Sequence, residues 1–148
     1  MATQWPRVLD RLVVILNTLP SWVDVQVIDG LPISADVLTD CVTVGYVSDD
    51  NSGNYTLNQD PSGFQWVEVG VIRSELSCVN GDSNLATMRA RMFGLLDALE
   101  ESVRADRTLG GVLSPQGTAE LVVDVRSVQD ISGAEQSVVF SLNYTTIT

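Results

Sequence analysis

Apolar and polar positions follow two different rhythms along this chain, and the change of rhythm marks its elements. Leu85, Met88, Met92, Leu95, Leu96, Leu99 and Val103 recur at steps of three and four, so they form one stripe along a 3.6-residue helix. That helix is expected to run to about Asp106. Ser83 can accept hydrogen bonds from the unpaired amides of its first turn, and Gly110 or Gly111 can take the left-handed turn that ends it. A second stripe of Trp5, Val8, Leu9, Leu12, Val13 and Leu16 predicts an earlier helix over residues 5–17. Pro6 suits its first turn and Pro20 prevents its continuation.

Elsewhere the period is two. Val23, Val25 and Val27 alternate with Asp24 and Gln26, a half-buried strand that Asp29-Gly30-Leu31-Pro32 closes as a turn. Residues 41–47 read as a second strand, with Val42, Val44 and Tyr46 on one side and Thr43 on the other. Residues 64–79 form a long third strand. Val67, Val69 and Val71 face one way, and Trp66, Ile72, Leu76 and Cys78 the other, so part of each face must be covered.

In residues 118–128, Leu121, Val123 and Val125 alternate with Glu120, Asp124 and Arg126. In residues 136–145, Val138, Phe140, Leu142 and Tyr144 alternate with Ser137, Ser141 and Asn143. A connection through Ser132-Gly133 makes these two an antiparallel hairpin. Residues 48–63 are dominated by Asp, Asn, Ser, Gly and Gln and read as a long polar loop or an extended flexible hairpin. Connections of that length are usually functional or disordered, which makes this one the candidate for ordering against a partner. The expected element order is α-β-β-β-α-β-β. It describes a single α+β domain over residues 1–148, a twisted, mostly antiparallel or mixed β-sheet packed with two α-helices.

A chain of 148 residues, 45% of them hydrophobic, fits one domain with a real core. No apolar run approaches the roughly 20 residues that span a bilayer, so no membrane partner is expected. The N-terminal residues carry no basic-then-apolar leader pattern, and a soluble cytosolic product is the expectation.

Charge narrows the chemistry. There are 19 acidic side chains against 8 arginines, with no lysine and no histidine, for a net charge of −11. Such a surface repels nucleic acid, whose binding needs cations to displace condensed counterions. The acidity serves solubility, or lets DNA pass without sticking; composition leaves both open. Without histidine there is no His-assisted nucleophile and no imidazole ligand or proton shuttle. Without lysine there is no Schiff base and no P-loop clamp. Cys41 and Cys78 stand far apart in strand contexts and read as small buried apolar residues.

The remaining candidates resolve to ordinary surface. The run from Asp49 to Asp60 has acidic or amide groups at its first, third and twelfth positions, as in a calcium loop. Its glycine is displaced to Gly53, however, and strands flank it instead of helices. Asp97 and Glu101 lie one helical turn apart, but the neighbouring Glu100 and Arg104 have the spacing of a plain surface ion pair. No G-x-S-x-G, G-x-G-x-x-G or Walker pattern occurs. Asn54-Tyr55-Thr56 and Asn143-Tyr144-Thr145 match a glycosylation pattern that matters only after secretion. Trp22 and Trp66 stand equally between core and interface anchor. No catalytic, cofactor-binding or metal-binding residue is assigned, and no cofactor.

Four segments in sequence resemble the tail terminator family of long-tailed bacteriophages, especially those infecting high-GC hosts. An N-terminal helix is followed by Val25-Gln-Val-Ile-Asp-Gly-Leu-Pro32. Then come Trp66-Val-Glu-Val-Gly-Val-Ile72, ending near Asn80-Gly81, and Arg89-Ala-Arg-Met-Phe-Gly-Leu-Leu-Asp-Ala-Leu99 with Val103-Arg-Ala-Asp106 and Thr108-Leu-Gly-Gly111. Last is Gly133-Ala-Glu135 leading into Val138-Val-Phe-Ser-Leu-Asn-Tyr144. The resemblance spans nearly the whole chain, and the order of the segments carries it.

The resemblance implies a non-enzymatic virion protein forming a ring of itself, usually a hexamer. Such a ring caps the last ring of tail tube protein, stops tube polymerisation and presents the surface that joins the head-tail connector and neck proteins. DNA would pass through its lumen without specific binding. A head-closure or tail-completion neck protein is the alternative within virion assembly. A small-molecule-binding α+β regulatory domain is the alternative of another class, and an unrecognised hydrolase is disfavoured by the lack of His and Lys.

Overall fold

The computed structural model describes residues 3–30, 40–47, 52–59, 62–80, 85–130 and 133–147. In chain order these form helix α1 (Trp5–Thr18), a 3-10 turn (Pro20–Trp22), strands β1 (Gln26–Asp29), β2 (Cys41–Val44), β3 (Gly53–Gln59) and β4 (Trp66–Asn80), helix α2 (Leu85–Ala105), and strands β5 (Thr118–Asp130) and β6 (Gly133–Ile147). The α+β class holds: the described residues form two helices and one mixed sheet. That sheet has six strands instead of the expected five.

The sheet runs β1-β2-β4-β6-β5, with β3 also paired to β4. β6 follows one side of β4 from Val67 to Asn80. On the other side β2 and β3 lie end to end, β2 on residues 75–77 and β3 on residues 66–72. Among the described strands only β1 and β2 pair in parallel. β3 is the correction to the sequence reading. The segment read as a polar loop or flexible hairpin contains seven residues of strand, hydrogen-bonded to β4 as a hairpin arm.

Both helices cover one face. Val8, Leu12, Ile15 and Leu16 of α1 and Met88, Met92, Leu95, Leu96, Leu99 and Val103 of α2 are buried against Val42, Val44, Ile72, Leu76, Val138, Phe140 and Leu142. The two helical stripes thus face the core as their period requires. Ser83 lies outside the described residues, as does the Leu85 side chain. Trp22 is buried in the same core, and its indole Nε1–H donates to the Leu95 carbonyl at 2.9 Å.

Around Trp22 the first strand shifts. The turn that buries the indole occupies residues 20–22, so β1 begins only at Gln26 and Val23 is 80% exposed. β2 similarly stops at Val44, because Gly45 takes a positive φ of 72°.

The end of α2 is built as its glycines predict. Leu109, Gly110 and Gly111 all have positive φ, and Leu109 is driven into the core at 1% exposure. A non-glycine residue accepts that strained conformation only where its surroundings hold it. Here Asp106 supplies the hold. Its carboxylate accepts the Gly110 amide at 2.7 Å and the Thr108 hydroxyl at 2.7 Å. These bonds, the Thr108 hydroxyl foremost, keep the Asp106 carboxyl below its ordinary pKa.

Candidate interaction surface

Strand parity sorts the side chains of β4 and β6 onto two faces. The helix-covered face carries Glu68 and Gly70 as well as the apolar core. Glu68 is 1% exposed, and both of its oxygens accept the Gln4 backbone N–H, at 2.9 and 3.1 Å. The Thr3 hydroxyl donates to it as well. Gln4 is the N-cap of α1 but offers no side-chain cap of its own. A carboxylate from a strand 64 residues away does that work, favoured by the positive end of the helix dipole.

Beside it, Tyr144 stacks over Gly70 so closely that a Cβ on Gly70 would lie 2.3 Å from the phenol Cζ. The Tyr144 hydroxyl makes no well-formed hydrogen bond in this conformation, although Glu68 is next to it. Burial first, and then the Glu68 charge, hold the phenol above its ordinary pKa.

Neither described helix lies over the opposite face, and its rungs follow from the registers. At one end the rung Thr43–Glu75–Val139–Asp124 and the rung Arg73–Ser141–Val122 bring charged side chains onto the surface. At the other end come Asn54–Val71–Asn143–Glu120, Thr56–Val69–Thr145–Thr118 and Asn58–Val67–Ile147. Apart from Glu120 at its border, this second half carries no charge among the described residues. Val69 is 43% exposed there and Phe64, in the β3–β4 turn, 90%; Tyr55 and Trp66, 45% and 38% exposed, lie by register on the hairpin's other side, with Gly70. Trp22 is thus core, whereas Trp66 is partly open to solvent.

Asp97 and Glu101 are exposed on α2, and Glu100 is ion-paired with Arg104. No group of three or more potential metal ligands occurs among the described residues, and Asp49 and Asp60 of the calcium-like run lie outside them. Asn54 is exposed on β3 and Asn143 half-buried on β6. Both cysteines are buried, and neither is in a disulfide. Burial, with help from the nearby Asp40 charge, pushes the Cys78 thiol up to about 12, and Asp40 is itself ion-paired with Arg91.

A cleft of about 180 Å³ between the end of α2 and the start of β5 is lined by Glu100, Arg104, Arg107 and Glu120. It is smaller than the ~300 Å³ at which ligand pockets usually begin. No helix among the described residues is long and apolar enough to cross a membrane. The chain matches no protein-family model and no curated protein.

Sequence reasoning found the two helices and the parity of β4 and β6. It missed the surface itself, because that surface depends on β3. The one available signal was Tyr55 and Leu57 alternating with Asn54, Thr56 and Asn58, a weak period-two pattern within a polar run.

Proposed function

We propose that this protein is a non-enzymatic phage tail terminator, a subunit of a ring, hexameric by the family resemblance, that caps the tail tube and offers the head-attachment surface. The observation that carries the reading is the one-sided build of the sheet. The described helices shield one face, while the other, although it buries Thr43 and Val139 toward its β2 end, leaves Val69 and Val122 exposed. A sheet dressed on one side suits a subunit that completes its burial in an assembly. The net charge of −11 agrees with a lumen through which DNA slides without being held. Such a ring would rest on tail tube protein below and meet connector or neck proteins above, placing the protein at the head-proximal end of the virion tail.

Deleting the gene and imaging the particles tests this. Overlong, headless tubes are expected. Tails of normal length beside filled capsids would instead make the protein a head-side neck component. A saturable metabolite bound by a dimer would make it a regulatory domain.

A further inference from the structure

We infer that the charge-free end of the sheet, strand β3 with the open face of β4 and β6 beside it, is where a second copy of this chain docks. The inference deepens the ring reading and rests on it. A copy bearing eleven excess negative charges repels another copy wherever their acidic surfaces meet. The neutral end is where that penalty is smallest. β3 itself contains no Asp, Glu or Arg, and between Gly53 and Val67 the sequence carries a single charged residue, Asp60. Glu68, the next acid along, is buried and hydrogen-bonded to the start of α1, so it adds little charge to the surface.

A cationic partner would select an acidic surface, and nucleic acid a basic one; this surface is neither. It offers what a like-charged copy needs. Val69 on the open face and Phe64 in the β3–β4 turn are apolar groups in water. Thr56 and Asn58 supply uncharged hydrogen-bonding groups. Among the described residues, β3 pairs only with β4, so its outer edge is placed to pair with a neighbouring strand.

The test is sedimentation of the purified chain over a wide concentration range, at ionic strengths from about 0.05 to 0.5 M. Wild-type protein should associate, and association should strengthen as salt screens the repulsion. Val69→Asp and Thr56→Glu each place a charge in the contact and should weaken association at least about tenfold. Both residues sit on a face without helices, and unchanged circular dichroism of the variants would show that folding survives. Val14→Asp, 46% exposed on α1, should leave association unaltered.

Wild-type association that weakens with salt, or that neither variant changes, would overturn the inference while leaving the ring intact. A wild-type chain that stays monomeric throughout would overturn it too. The ring reading then stands or falls separately on the tail-length phenotype.

Discussion

Replacing Glu68 by Gln tests how the first helix is held to the sheet. The carboxylate accepts the Gln4 amide through both oxygens and the Thr3 hydroxyl as well, and it is 1% exposed. The amide keeps one accepting oxygen but turns an NH2 toward a backbone donor, leaving a buried donor without a partner. It also removes the negative charge from the positive end of α1. Each effect costs about 1–2 kcal/mol, so a net loss of about 2–3 kcal/mol is expected.

For a chain of this length that corresponds to a melting temperature lower by roughly 4–12 °C. Thermal denaturation reads it directly, and hydrogen exchange should accelerate first at the opening turn of α1. Thr3→Ala removes one of the same bonds, so the double variant should lose less than the sum of the two single ones. A Glu68→Gln protein melting within about a degree of wild type would refute the cap.

Gly70→Ala should cost about 1–3 kcal/mol in denaturant titration, because its Cβ would meet the Tyr144 ring at 2.3 Å. Adding Tyr144→Ala should make the same glycine substitution cheaper, and equal costs in both backgrounds would contradict the packing argument. The folded-state pKa of Asp106 is depressed, so its stabilisation is fully present above its ordinary value of 3.8 and is lost as pH falls through the lower folded value. The melting-temperature gap between wild type and Asp106→Asn should therefore be constant above about pH 5 and close in more acidic solution; a gap that widens there would reverse the sign. Native Cys41 and Cys78 should resist thiol reagents at mildly alkaline pH and react only as the chain unfolds, since both are buried and the Cys78 thiol is pushed up to about 12. Rapid labelling of folded protein would show an opening that the packing does not account for.

The two helices were legible because their cores are periodic. Seven apolar residues from Leu85 to Val103 and six from Trp5 to Leu16 leave little alternative to a buried stripe. The parity of β4 and β6 was legible for the same reason, at period two. β3 was not. Its seven residues are exposed or half-exposed, and its order comes from hydrogen bonds to β4, which leave no hydrophobic trace in its own sequence.

β1 was misplaced because alternating valines look alike whether or not a buried tryptophan claims the turn before them. Val23 fits the alternation and yet stands in solvent. Glu68 carries no signal of its own in the sequence. Its partners, Thr3 and Gln4, are more than sixty residues away, and no local pattern reports a contact of that range. The open face followed from strand order, which alternation cannot supply.

β4 and β6 run antiparallel through fourteen paired positions. At about 3.4 Å per residue, that is a seam close to 45 Å long. Tension along the strands would strain every rung of the seam together, whereas peeling from one end would break the rungs in turn. The domain is therefore stiff in one direction and weaker across it, so a load along the strands is shared by the whole seam while a load across them falls on one rung at a time.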